Sequence, residues 1–156
     1  MDAVHPRVLG YLGRALSLEL TAVQQYMTQA SLAETWGDSE AAARFRRETV
    51  EEMRHAEQIV QRMLAVGVAP AASQLRPVAQ APDLAGLLRR DLDLEDDLVN
   101  LYAEASRFCR LVGDSEYETL FNQLLQEEQH HGEELAGWLK ELGRLERSRD
   151  DERASF

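Results

Sequence analysis

The stretch ETVEEMRHAE, residues 48–57, puts Glu52 and His55 three residues apart, with Met53 and Arg54 between them. On an α-helix, residues three apart sit on one face, a turn from each other. Phe45, Ala56, Ile59 and Met63 recur with helical period around this pair, so the segment from about Ser39 to Val66 reads as an amphipathic helix. Glu52 and His55 then fall on a face that is otherwise apolar. An ionised carboxylate there costs on the order of several kcal/mol unless it is paired or binds a metal.

Three more segments share the period. One runs from about Pro6 to Trp36, with Leu12, Ala15, Ala22 and Tyr26 on its stripe; another runs from about Asp83 to Val112, with Leu88, Leu98, Tyr102, Ala105 and Cys109. The last runs from about Asp114 to Leu142, stepping through Phe121, Leu124, Glu128, His131, Leu135, Trp138 and Leu142. No segment alternates as a strand does. WGDSE (36–40) and VGDSE (112–116) each supply a Gly to end one helix and an Asp or Ser to cap the next. Links that short join antiparallel neighbours. Between them VGVAPAASQLRPVAQAPD (66–83) carries three prolines and is long enough to run the height of a bundle. The expected fold is all-α: a four-helix bundle with a long crossover between the second and third helices.

The chain repeats itself at an offset of 76 residues. Gly37-Asp38-Ser39-Glu40 returns as Gly113-Asp114-Ser115-Glu116, and Leu12, Tyr26 and Phe45 map onto Leu88, Tyr102 and Phe121. The same offset maps Glu19 onto Glu95, Glu52 onto Glu128 and His55 onto His131. All six lie near the middle of their helices, so antiparallel packing brings them to one layer. Glu19 is the only acid between Pro6 and Ala33. Four carboxylates in one layer repel and raise one another's pKa values. A pair of divalent cations, with two neutral imidazoles, brings the layer close to charge balance. Mixed oxygen and nitrogen ligation suits iron, manganese or zinc better than calcium. QEEQHHG (126–132) offers two overlapping pairs, and the stripe selects Glu128 with His131. Glu127 and His130 share a face with Gln123 and Glu134 that reads as solvated.

Composition bounds the setting. The 156 residues fit one domain with a real core, 44% are hydrophobic, and no apolar run approaches the roughly 18–20 residues that span a membrane. The start, MDAVHPRVLG, has neither a basic nor an apolar region of a secretory signal. A single cysteine, Cys109, excludes an internal disulfide framework and a cysteine zinc site; it reads as a small buried hydrophobe. A net charge of −11 suits cations and disfavours nucleic acid. The expectation is a cytoplasmic protein. Trp36 and Trp138 read as packing residues.

These residues resemble the ferritin-like di-iron carboxylate proteins, which use one Glu from each of two helices and a Glu-x-x-His from each of the others. Within that group, YLGRALSLELTAVQQY (11–26), EEMRHAEQI (51–59), RDLDLE (90–95) and EEQHH (127–131) resemble bacterioferritin. The likeness covers roughly residues 6–142. It implies a ferroxidase centre with two iron ions per subunit: Glu19, His55, Glu95 and His131 as terminal ligands, Glu52 and Glu128 as bridges. It implies oxidation of Fe(II) by O2 or H2O2, ferric mineral stored in a 24-subunit shell, and a ferredoxin-type reductant. Met53 lies about 100° round the helix from Glu52, outside that metal site. The resemblance makes Met53 the axial ligand of haem b, shared across a two-fold seam of a homodimer, with Arg54 near the propionates; the plain alternative is a Met packed in the seam. Tyr26 stands seven residues beyond Glu19, as Tyr102 does to Glu95. The family's Tyr at the Tyr26 position can donate an electron; the plain alternative is a core aromatic bonded to a buried carboxylate.

The chain departs from the family after residue 142. Relatives continue into a fifth helix with an apolar face; here GRLERSRDDERASF (143–156) has four Arg and four acids. The expected organisation is a bundle over 1–142 and a polar tail over 143–156, disordered or a degenerate fifth helix. Competing readings are a non-storage di-iron or di-manganese oxidase or peroxidase, and a haem-binding electron-transfer subunit on the same bundle.

Overall fold

The computed structural model describes residues 3–155. Four helices follow one another: α1 (Pro6–Thr35), α2 (Ser39–Ala65), α3 (Leu84–Val112) and α4 (Ser115–Ala154). No strand occurs among the described residues. α1 packs on α2 and α3 on α4, as their short links require, and α1 also packs on α3. The protein is a ferritin-like four-helix bundle.

The caps explain where the helices start and stop. The Asp38, Asp83 and Asp114 side chains accept the N–H groups of Ala41, Gly86 and Tyr117, each relieving one of the free donors of a helix N-terminus. Gly37 and Gly113 adopt φ of 77° and 78°, a left-handed conformation that a side chain disfavours. Residues 68–81 form no regular element. This crossover is tied to the bundle by its backbone: the Gln74 N–H donates to Ser17 Oγ and the Arg76 N–H to Thr21 Oγ1, while the Arg76 guanidinium pairs with Asp97 on α3.

The repeat in the sequence returns in the packing. Tyr26 stacks on Phe45 with ring centroids 6.4 Å apart, and their counterparts Tyr102 and Phe121 stack at 6.2 Å. Cys109 is buried in the core. Two expectations need correcting. α4 does not stop near Leu142 but continues unbroken to Ala154. Beyond Gly143 that stretch has no Gly or Pro and is rich in Arg, which favours helix even when exposed. Phe156 lies outside the described residues. Trp36 is not a packing residue of the core; it is the C-cap of α1 and is 40% exposed, whereas Trp138 is buried. Among the described residues, no helix is long and apolar enough to cross a membrane.

Candidate metal centre

Glu19 on α1, Glu52 and His55 on α2, Glu95 on α3, and Glu128 and His131 on α4 are all buried at the middle of the bundle. Their ligating atoms form two overlapping groups, Glu19–Glu52–His55–Glu128 and Glu52–Glu95–Glu128–His131, each with its atoms within 4.8 Å of one another. Glu52 and Glu128 belong to both. The histidines reach across between the hairpins: His55 Nδ1 lies 2.7 Å from Glu128 Oε1, and His131 Nδ1 lies 2.9 Å from Glu52 Oε1.

The tyrosines cross over too. Tyr26 donates to Glu95 Oε1 at 2.7 Å, and Tyr102 donates to Glu19 Oε1 at 2.6 Å. Each bonds to the carboxylate of the opposite hairpin, not to the one seven residues before it. Even so, one oxygen on each of the four carboxylates, Oε2 of Glu19, Glu52, Glu95 and Glu128, has no hydrogen-bond partner. Buried polar atoms are ordinarily satisfied. Four convergent, unsatisfied, hard oxygen donors beside two imidazole nitrogens fit a pair of first-row transition ions.

The electrostatics describe the protonated state of this layer. Burial, then the charges of Glu52 and Glu128, raise the Glu19 pKa well above the usual carboxylate range. Burial, then Glu52, do the same to Glu95. Burial also works against Glu128, but hydrogen bonds from Glu95, His131 and His55 overcome it and hold that group well below the usual range. Burial opposes charge on both histidines; the facing carboxylates win, raising His55 and pushing His131 up to about 11. The two histidines therefore hold protons that cations must displace.

Two neighbours escaped the reading of the sequence, and a third was misread. Asp91 is fully buried, one turn before Glu95, and its Oδ1 accepts from Gln25 Nε2 and Gln29 Nε2, both at 2.7 Å. Burial pushes it up to about 7 against those two bonds. Glu48, one turn before Glu52, approaches His131 Nδ1 at 3.7 Å, and burial raises it to about 7. Their i,i+4 spacing to stripe glutamates was the available signal. Glu127 corrects the reading of its face as solvated: its side chain is 40% exposed, yet Oε2 lies 2.7 Å from His55 Nε2. His130 does face solvent, where it pairs with Glu134 at 3.0 Å. Met53 lies apart from the cluster on the outer face of α2, 54% exposed.

Known proteins are similar to this chain. The ferritin-like domain family matches residues 9–145. Bacterioferritin of Rhodobacter capsulatus is 36% identical over 125 residues, spanning 80% of this chain and 78% of that protein. Bacterioferritin of Mycolicibacterium paratuberculosis is 33% identical over 140 residues, spanning 90% and 88%. The solved structure of the Rhodobacter capsulatus protein, described as having a metal-free dinuclear site and haem iron in a crystallographic special position, superposes with a TM-score of 0.88 at 33% identity, covering 92% of this chain and 90% of that one. Mycobacterium tuberculosis bacterioferritin BfrA also gives 0.88, at 29% identity, covering 94% and 92%. A four-helix bundle with this buried carboxylate–histidine layer, matched over nearly its whole length by such relatives, belongs to the ferritin-like family and, within it, to the bacterioferritins.

Proposed function

We propose that the chain is a ferroxidase and iron-storage subunit: it oxidises Fe(II) to Fe(III) at the Glu19, Glu52, His55, Glu95, Glu128 and His131 layer, with O2 or H2O2 as oxidant. The observation that carries this reading is the pair of buried ligand groups sharing Glu52 and Glu128. Bound side by side, two Fe(II) ions supply one electron each, enough to reduce O2 and two protons to H2O2, or H2O2 and two protons to two waters.

The chain's own residues account for the rest. Glu19 and His55 would hold one ion, Glu95 and His131 the other, with Glu52 and Glu128 available to both. The hard carboxylate oxygens favour Fe(III) over Fe(II), which draws the reaction forward. Burial keeps the layer dry, so its charges act at low dielectric. The Tyr26 hydroxyl orients Glu95 through its 2.7 Å bond and stands close enough to the layer to serve as an electron donor. Protons held by His55 and His131 leave as Fe(II) binds.

The outer face of α2 supports a homo-oligomer. Val50, Met53 and Leu64 are exposed and lie along one stripe, an apolar surface that a second copy related by a two-fold axis would cover. A haem in that seam would be held by the Met53 thioether of each protomer and would supply a redox-active iron. The experiment is anaerobic Fe(II) loading followed by stopped-flow oxidation, with native mass in parallel. Fast oxidation saturating at two irons per chain, absent in Glu19→Ala and His131→Ala, is expected; unchanged oxidation in both variants sinks the assignment. Haem reconstitution should give a low-spin spectrum that Met53→Leu abolishes.

A further inference from the structure

The two halves of the metal layer are related by the 76-residue repeat, but what stands behind their histidines differs. Behind His55, Glu127 Oε2 lies 2.7 Å from Nε2. The repeat counterpart of Glu127 is Glu51. Glu51 does not turn to His131; both its oxygens take the Arg54 guanidinium at 3.1 Å. Among the described residues, the carboxylates within 4.0 Å of the His131 ring nitrogens are Glu48, Glu52 and Glu128, and all three approach Nδ1. The His131 side chain is 9% exposed against 2% for His55, and it lines a cavity of about 350 Å³ with Glu51, Gln123 and Glu127.

A histidine that donates its far N–H to a carboxylate is locked in one tautomer and one ring orientation, and its near nitrogen becomes a stronger ligand. His55 has that partner and His131 does not. We propose that Glu127 is a positioning residue that makes the two metal positions unequal: the Glu19–His55 position binds its cation more tightly, and the Glu95–His131 position is the weaker one. The inference rests on the di-metal reading above. In both halves Nδ1 faces the carboxylates, so the difference arises from the Nε2 side alone. Arg54 is its cause as much as Glu127, because it removes the symmetry-related carboxylate from His131.

The test uses Zn(II), which has no redox chemistry, titrated calorimetrically into the metal-free full-length chain. The wild type should take up two ions with resolvable affinities. Glu127→Ala should weaken the tighter position about 10- to 100-fold. Glu127→Gln, which keeps an acceptor without its charge, should fall between, and Glu51→Gln should change neither position. Histidine ¹⁵N spectra of the Zn(II)-loaded protein supply a readout that a merely structural role would not move. The His55 Nε2–H should be protected from exchange in the wild type and exposed in Glu127→Ala, and the His131 signals should be the same in both. If two ions bind and Glu127→Ala weakens neither position, or both equally, the inequality is refuted while the di-metal reading stands. If the folded wild type binds no Zn(II), the di-metal reading falls and this inference with it.

Discussion

The layers on either side of the metal centre are built from corresponding residues of the two hairpins, yet one is apolar and the other polar. On one side Ala15, Leu101 and Ala105 pack together with the core. Shifted by the repeat, the same three places hold Asp91, Gln25 and Gln29, joined through two 2.7 Å bonds. The Oδ2 of Asp91 and Oε1 of Gln29 remain unpartnered. The repeat thus holds in the ligand layer, where two ions would need matching donors, and fails in the flanks, where packing needs only matching volume. The polar flank has a cost that the apolar one lacks, since a buried carboxylate must be desolvated.

The largest effect expected is at the shared ligands. Glu52→Ala or Glu128→Ala removes a donor from both groups at once. Each should lower Fe(II) oxidation by at least about 100-fold, measured by stopped flow, since the oxygen donors that stabilise developing Fe(III) are lost at both ions. Glu19→Ala takes a donor from one group and should leave one Zn(II) bound per chain.

Proton release sharpens the comparison next. Glu19, Glu95, His55 and His131 all have raised pKa values in the metal-free fold. Loading at pH 7 should therefore expel protons, those of His55 and His131 among them, read from calorimetry in buffers of different ionisation enthalpy. Affinity should rise with pH, because protons compete with the cations. A pH-independent affinity would contradict the protonated layer.

Asp91→Asn tests the polar flank directly. With a folded pKa of about 7 against an ordinary 3.8, the native state binds the proton more tightly than the unfolded chain. Stability of the metal-free protein then falls as pH rises from about 4 to 7 and levels off above. Asn keeps an acceptor for both Gln side chains and adds a donor for Gln29. The variant should lose that slope and gain on the order of 3 kcal/mol at pH 7.5, by urea unfolding. Ala15→Asp, placing the same charge on the apolar flank without its glutamines, should destabilise instead.

Smaller still are the tyrosines. Tyr26→Phe and Tyr102→Phe each remove one buried bond to a carboxylate and should cost a similar amount, about 1–2 kcal/mol. If Tyr26 alone donates electrons, only its variant should also slow or alter Fe(II) oxidation. Truncation after Gly143 removes an exposed helical extension and should change stability by less than about 0.5 kcal/mol. A change in native mass would assign that extension to assembly.

Much of this was legible in the chain itself. Helical period, two Gly-Asp links and a proline-rich crossover specify an antiparallel bundle because each is a local rule. The six ligand candidates were legible because a repeat doubles every coincidence, and because Glu19 sits on a stripe where an unpaired charge is costly. What period cannot show is where a flexible side chain ends. Glu127 lies off the stripe, yet its carboxylate reaches the back of His55 on another helix. Asp91 and its glutamines read as ordinary polar positions until α1 and α3 pack.

The sequence by itself determined the bundle, the layer and the six residues in it, since these follow from spacing along single helices. The tertiary structure alone decided which tyrosine serves which glutamate, and which histidine is held from behind. Those contacts join residues 69 to 83 positions apart, across helix pairs whose relative rotation is set by packing, not by period.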